Sequence, residues 1–159
     1  MATHDPDNPN FDREKSIGFL VHEVARLFRR RFEDEARTHN VTLPQWRALI
    51  EIHKNEGISQ VALAGCIDTD PMTLSGILDR LDKRGLVERY PDPNDSRAKL
   101  ARLTDEGSSL VRTARHVGRA LYENALDGLD QAERDRLAAG LILIKTNLTN
   151  MTAEEKEAV

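Results

Sequence analysis

The chain has 159 residues, 39% of them hydrophobic and 4% aromatic, which allows one domain of ordinary size with a lean core. Its single cysteine, Cys66, excludes an intramolecular disulfide, and the longest apolar run is far shorter than the roughly 20 residues that span a bilayer, so a cytoplasmic protein without a membrane anchor is expected. The formal charge of −4 argues against general binding to nucleic acid, but residues 71–102 hold seven basic and five acidic side chains, a local surplus that suits a face presented to phosphate groups.

The N-terminal part of the chain begins with a polar segment and continues into two helices. Residues 1–12 show no apolar periodicity, so we expect a mobile lead-in. In residues 13–39 apolar side chains recur at three- and four-residue steps, which predicts one long amphipathic helix. Thr42 and Gln45 have capping-box spacing, so a second helix begins there and ends at Gly57.

The next two segments predict a helix-turn-helix. Ser59 is placed to cap a short third helix that ends near Ile67. Asp70 followed by Pro71 predicts the start of a fourth helix, because proline at the first helical position loses no hydrogen bond. This helix runs to about Arg84, and the tight connection between the two helices is typical of the motif.

A β-hairpin and two long helices complete the predicted fold. Residues 86–90 and 98–103 have β character and are separated by a turn-rich stretch, which predicts a two-stranded hairpin. Thr104 can cap a fifth helix, and the Asp-x-x-Glu spacing at Asp130 opens a sixth. The fold class is therefore mainly α with a small β-hairpin wing: a winged helix-turn-helix core flanked by N- and C-terminal dimerisation helices.

The long outer helices carry apolar stripes, and a monomer with few aromatic residues could not bury all of them away from solvent. We therefore expect a homodimer, which would also place two recognition helices about 34 Å apart, one turn of DNA. The expected organisation is a mobile lead-in (1–12), a helical dimerisation region (13–40 and 104–150), a winged helix-turn-helix DNA-binding region (41–103) and a C-terminal tail (151–159).

The fourth helix has the form of a recognition helix. Short side chains on its outer face let the backbone approach DNA closely, and Arg80 is long enough to reach guanine or phosphate. An ordinary surface helix with a polar face would give the same pattern. The candidate DNA-binding residues of this helix are Met72, Thr73, Ser75, Gly76, Arg80 and Lys83.

The predicted tip of the hairpin adds Asp95, Arg97 and Lys99 to the candidate DNA-binding residues. An arginine at such a tip can enter a narrow minor groove, where the negative potential is enhanced, and Asp95 can orient Arg97. Taken alone, a loop with these residues would be an ordinary solvated turn. Its place after a candidate recognition helix favours the DNA-binding interpretation.

The stretch that follows the recognition helix resembles a known family. The residues that carry the resemblance are Arg80-Leu81-x-x-Arg84-Gly85, Leu86-Val87-Glu88-Arg89, Asp95-x-Arg97 and Leu103-Thr104-x-x-Gly107, with Gln45 and Leu63-Ala64 before them. From about residue 15 to 150 the chain resembles the MarR (multiple antibiotic resistance regulator) family. The resemblance implies a homodimer on a partly palindromic operator, with Thr73 and Ser75 facing the major groove and Arg97 the minor groove. Two departures are Asp68, where such proteins often have glycine, and Gly76, which leaves base preference open.

An effector site is the next expectation. Proteins of this resemblance often bind aromatic acids where the DNA-binding lobe meets the dimer helices, and His22, Trp46, Arg47 and His53 lie on helices that could line such a cleft. The alternative is that Trp46 is a core residue and Arg47 an ordinary surface residue. A small aromatic or acidic effector would release DNA by favouring a different spacing of the recognition helices.

Other chemistry is not predicted. The five histidines are dispersed without metal-ligand spacing, and there is neither a nucleophile elbow nor a phosphate-binding glycine loop, so we expect no metal, no cofactor and no catalytic residue. Cys66, beside Ala64 and Ile67, is expected to be a buried packing residue. The prediction is a sequence-specific regulator of transcription that binds double-stranded DNA, more often as a repressor than as an activator. The alternative is a winged-helix module that uses the same surface to bind protein.

Overall fold

The computed structural model describes residues 16–93, 95 and 98–157, with side chains up to Met151. The elements in chain order are α1 (Ile17–Thr38), α2 (Leu43–Lys54), β1 (Ile58–Ser59), α3 (Gln60–Cys66), α4 (Pro71–Lys83), β2 (Val87–Pro91), β3 (Lys99–Leu103), α5 (Asp105–Ala125) and α6 (Gln131–Glu157). The expected class, mainly α with a small β wing, is confirmed. The chain divides into two compact units, and the boundary falls between residues 118 and 119 of α5. The predicted mobile lead-in (1–12) lies outside the described residues.

Most helices begin where the capping residues predict. The Thr42 hydroxyl accepts a hydrogen bond from the backbone N–H of Gln45 (3.4 Å), and the Gln45 side chain accepts one from the N–H of Thr42 (2.9 Å), so both halves of the capping box are present. Ser59 caps α3 through the N–H of Ala62. At α6, Asp130 and Glu133 exchange the same reciprocal pair of bonds.

The Thr42 cap gives a measurable prediction. Replacing Thr42 by alanine should lower the free energy of unfolding by about 1 kcal/mol, because the Gln45 N–H at the start of α2 loses its acceptor. Thr113→Ala is the matched control: its hydroxyl bonds back to the Ser109 carbonyl inside α5, where alanine favours the helix, so stability should not fall. Urea unfolding of both variants tests this, and equal losses would contradict the capping role.

The wing contains a strand that the sequence did not predict. Strands β2 and β3 pair antiparallel from Val87 opposite Leu103 to Pro91 opposite Lys99, as expected for the hairpin. The two-residue strand β1 adds to the other edge of β3, giving the order β1-β3-β2. The predicted end of α2 at Gly57 also differs. The helix ends at Lys54, and Gly57, with a φ of 76°, belongs to the turn that leads into β1.

The core of the first unit is built around α2 and α4. Helix α4 turns Leu74, Ile77, Leu78 and Leu81 inward, at steps of three and one residues, and each is at most 5% exposed. Trp46, Leu49 and Ile52 of α2 and Val111 of α5 belong to the same cluster of buried side chains. Since one face of α4 anchors this core, the opposite face is held toward solvent.

Cys66 is exposed, so its predicted burial is wrong. The buried face of this short helix and its cap consists of Leu63, Ala64 and Ile67. At about 100° per residue, Cys66 falls outside that stripe although it is adjacent to Ile67 in sequence. Proximity in sequence was therefore a poor guide to burial here.

The second unit contains the end of α5 and all of α6. Arg134 ties the connection together, because its guanidinium donates to Glu123 (2.8 Å) and to the carbonyls of Leu126 (3.1 Å) and Leu129 (3.0 Å). Helix α6 continues to Glu157, whereas a C-terminal tail was expected over residues 151–159. Residues 153–157 are Ala, Glu and Lys, good helix formers without a breaker, which explains the extension. In the described part of the chain, no helix is both long and apolar enough to cross a membrane.

Candidate nucleic-acid interface

The turn between α3 and α4 sets the start of the candidate recognition helix. Asp68 has a φ of 55°, the left-handed conformation that an aspartate tolerates in place of glycine. Two residues later, the Asp70 carboxylate accepts a hydrogen bond from the backbone N–H of Thr73 (2.9 Å), with Pro71 at the first helical position. Because of these features, α4 begins at the predicted residue.

Asp70 is held in its charged form at this helix start. Hydrogen bonds from Thr73 lower its pKa below the usual carboxyl value. A lowered folded-state pKa contributes stability above the pKa of the unfolded chain, about 3.9, and that contribution is lost as pH falls through the folded value. Asp70→Asn keeps a capping group that does not titrate, so the Tm advantage of the wild type should shrink from pH 6 to pH 3. A constant difference over this range would contradict the assignment.

The outer face of α4 is open to solvent. Met72, Thr73, Arg80 and Lys83 are exposed, while Ser75 and Gly76 are half-buried. No atom lies within 4 Å of the position that a Cβ would occupy on Gly76, so this part of the backbone is accessible to a large partner. The six candidate residues of this helix thus lie away from its buried leucine face, as a recognition helix requires.

Ion pairs divide the basic side chains of this region into two groups. Arg89 of β2 lies 2.6 Å from Asp79 and 3.4 Å from Asp82, so it ties the wing to α4. Arg102 of β3 pairs with Glu88 at 2.7 Å, and this contact raises the pKa of the guanidinium above its usual value.

The second group remains available for a ligand. Within the described part of the chain, Arg47, Arg80, Lys83 and Lys99 form no ion pair, and all four are exposed. The basic surplus of residues 71–102 included Arg89 and Arg102, because only the fold brings these two residues to their acidic partners. The structure therefore assigns structural ion pairs to two of the predicted basic residues.

Two cavities flank α4, and we name them by their position. The wing cavity, about 530 Å³, is lined by Ser59, Gln60, Val61, Pro71, Ser75, Arg89, Asp95, Ala98 and Lys99. The turn cavity, about 290 Å³, is lined by Thr42, Pro44, Arg47, Ile67, Asp68, Thr69, Thr73, Ile77 and Arg80. Asp95 and Lys99 of the wing thus share a concave surface with Ser75 of α4. Arg97 lies outside the described residues.

The four candidate effector residues are not brought together. Trp46 is only 3% exposed, and its ring packs at a tilt of 55° against that of His39 with the centroids 5.4 Å apart, so in this unit it is a core side chain. Arg47 lines the turn cavity beside Thr73 and Arg80, a position that sequence reasoning did not foresee. His22 is exposed on α1, and His53 contacts Arg115 (3.2 Å between Nη1 and Nε2). Neither of these two cavities includes His22, Trp46 or His53.

No group of three or more metal-ligating side chains occurs among the described residues. The surface on and around α4 instead combines hydroxyl groups, a glycine and uncompensated cations. Hydroxyls and backbone can contact bases and phosphates, and cations neutralise phosphate charge. The arrangement is suited to binding a polyanion.

The chain is similar to known regulators of transcription. The sequence model described as "MarR family" matches residues 41–99. The repressor NicR of Pseudomonas putida KT2440 is 28% identical over 128 residues, covering 80% of this chain and 81% of the relative. The multiple antibiotic resistance protein MarR of Escherichia coli K12 is 30% identical over 118 residues, covering 74% and 82%.

Solved structures show the same relationship. A crystal structure of a mutant E. coli MarR bound to operator DNA matches with a TM-score of 0.70 and 30% identity, covering 80% of this chain and 91% of that one. The family model, at residues 41–99, spans α2, β1, α3, α4 and β2. The chain belongs to the MarR family of DNA-binding transcriptional regulators, and it is not an enzyme.

Proposed function

We propose that the chain is a sequence-specific transcriptional repressor that binds a partly palindromic operator as a homodimer in the cytoplasm. The observation that carries the proposal is the outer face of α4, where Thr73, Ser75 and Gly76 leave the backbone accessible and Arg80 pairs with no acidic side chain of the described residues. A helix of this form fits the major groove and reads base edges with its first turns. We assign Lys99 and, from its place in the sequence, Arg97 to the adjoining minor groove and phosphates, with Asp95 orienting Arg97.

DNA binding is tested by fluorescence anisotropy across a salt series. The probes are a duplex from upstream of the chain's own gene and a scrambled duplex of the same composition. Tight binding that prefers the native duplex and weakens steeply with salt is the expected result, because each neutralised phosphate releases counterions. Equal, weak and salt-insensitive binding to both would contradict the proposal and would favour a protein-binding module.

Exposed apolar side chains support the dimer. In the first unit α1 exposes Ile17, Leu20, Val21, Val24 and Leu27. In the second unit α6 exposes Leu137, Leu141, Ile142, Leu143, Ile144, Leu148 and Met151. Apolar surface of this extent is unusual on a stable monomer, and a two-fold partner would cover it. We therefore propose residues 13–40 and 104–150 as the dimerisation region and residues 41–103 as the DNA-binding region.

The dimer is tested by sedimentation equilibrium at micromolar concentration. Twice the mass of one chain is expected for the wild type. Val24→Asp places a charge in the α1 stripe, so it should shift the distribution toward monomer and weaken operator binding. A wild type that sediments as a stable monomer would contradict the dimer.

We also propose that a small aromatic or acidic effector releases the operator. His22, Arg47 and His53 do not lie together within one chain, but each is exposed and could donate a hydrogen bond to a carboxylate, while Trp46 would act through the core that it packs. Release requires that the ligand bind the DNA-free spacing of the recognition helices more tightly than the DNA-bound spacing. Titration of phenolic acids into the operator complex should lower its affinity, and an unchanged affinity would count against this part of the proposal.

A further inference from the structure

Met72 is the most exposed large apolar side chain among the described residues, at 85%. It is the second residue of α4, directly after the proline of the first helical position. A single exposed apolar residue is ordinary on a protein surface. Its position is what makes this one informative, because the first turns of a recognition helix are the part that meets base edges.

Met72 lies beside the hydroxyl-bearing residues on the outer face of α4. Thr73 is exposed next to it, and Ser75 lies one turn further on, in the wing cavity. Gln60 of α3 donates a hydrogen bond to the carbonyl of Pro71 (3.4 Å), which holds the first turns of α3 and α4 together. Met72 therefore projects from a helix N-terminus that is held by a hydrogen bond to α3, and hydroxyl groups lie beside it.

The thioether of Met72 limits which groups of DNA this side chain can recognise. A thioether carries no charge for a phosphate and is a weak hydrogen-bond acceptor, so it gains little from the polar edges of bases. In the major groove the apolar group is the C5-methyl of thymine. Met is also unbranched and flexible, so it can fill the irregular space around that methyl.

From this position and chemistry we propose that Met72 reads thymine through contact with its C5-methyl group. The inference rests on the proposed binding of operator DNA and adds a base preference to it. Hydroxyls at Thr73 and Ser75 can bond either donors or acceptors, so they discriminate less between bases. Met72 therefore contributes a preference for thymine where α4 enters the groove.

The test removes the methyl group from the DNA and the side chain from the protein. Operator duplexes are first enriched from a random pool with the full wild-type chain. Each thymine of the enriched site is then replaced singly by deoxyuridine, which lacks only the C5-methyl. The Kd of each duplex is measured for the wild type, Met72→Ala, Met72→Leu and Val61→Ala.

At one or more thymines, loss of the methyl should weaken wild-type binding about fourfold, the value of one buried methyl or methylene group. Met72→Ala should bind thymine and deoxyuridine duplexes equally at that position, whereas Met72→Leu should retain part of the difference. Val61, 74% exposed on α3, provides the control: Val61→Ala removes a similar apolar side chain and should keep the methyl effect.

The outcomes separate this inference from the proposed function. A methyl effect of the same size in the wild type and Met72→Ala, or no methyl effect at any thymine, would overturn the role of Met72 while leaving specific DNA binding intact. Failure of the wild type to enrich any duplex would overturn the proposed function, and this inference with it. A methyl effect lost only in Met72→Ala supports the assignment.

Discussion

Replacing Arg80 by alanine is expected to weaken operator binding by roughly 5- to 150-fold, the equivalent of one good bidentate contact to guanine at 1–3 kcal/mol. Arg80 is exposed near the end of α4, forms no ion pair in the described part of the chain, and lines the turn cavity with Thr73 and Arg47. No internal partner has to be released before it meets DNA, so its loss should appear in affinity rather than in stability.

The same variant distinguishes two modes of contact. If Arg80 reads a base, Arg80→Ala should lose affinity for the operator and little for a scrambled duplex. If it neutralises phosphate, both duplexes should weaken, and the slope of log K against log salt should fall by roughly 0.9 for each lost phosphate contact. Arg30→Ala on α1 removes the same charge outside the winged helix. It should change neither the affinity for either duplex nor the salt slope. Unchanged affinity of Arg80→Ala would remove this residue from the interface.

Helix boundaries were largely predictable because they depend on local chemistry. Thr42 and Gln45 form their capping box across three residues, and Asp70 with Pro71 defines the start of α4 in the same way. Such bonds need only the backbone of the first turn, so their spacing in the sequence is sufficient. The buried and exposed faces of α4 could also be predicted, because they follow from the spacing of apolar residues along the helix.

Pairings across the fold were not predictable. Arg89 was counted in the basic surplus of residues 71–102, but it pairs with Asp79 and Asp82 of α4, which only the return of β2 along that helix brings within reach. Strand β1 consists of two residues, too few to show alternation, and it exists because β3 presents a free edge. These features belong to tertiary contacts rather than to local pattern.

One long-range contact bears on how regulation could reach α4. The Arg84 guanidinium, at the C-terminal end of α4, donates hydrogen bonds to the carbonyls of His39 and Asn40 in the connection between α1 and α2. Arg89 and Arg84 thus hold the recognition helix at two places, to the wing and to the end of α1. In the proposed dimer α1 belongs to the dimerisation region, so these bonds join the end of that helix to the C-terminal end of α4.

Replacing Gly107 by alanine is expected to destabilise the fold by roughly 3 kcal/mol, the upper part of the range for overpacking a filled site. Gly107 is buried in the first turn of α5, where its N–H bonds to the Thr104 cap at 3.0 Å. A Cβ there would collide with the backbone carbonyl of Leu86 and lie 3.4 Å from the Leu103 side chain. The obstacle is backbone, so it cannot be relieved by a change of rotamer.

The collision also gives a physical reason for the Leu-Thr-x-x-Gly pattern at the end of the wing. The Leu86 carbonyl accepts a hydrogen bond from the N–H of Thr104, so moving it aside would disturb both the wing and the cap of α5. Gly65→Ala is the control, since nothing lies within 4 Å of its Cβ position in α3 and alanine should raise stability by about 0.5–1 kcal/mol. Both are compared by urea unfolding at one protein concentration, because a dimer's stability depends on concentration. An unchanged urea midpoint for Gly107→Ala would mean that α5 can shift without loss of stability. The close approach to Leu86 would then not be the reason for glycine at this position.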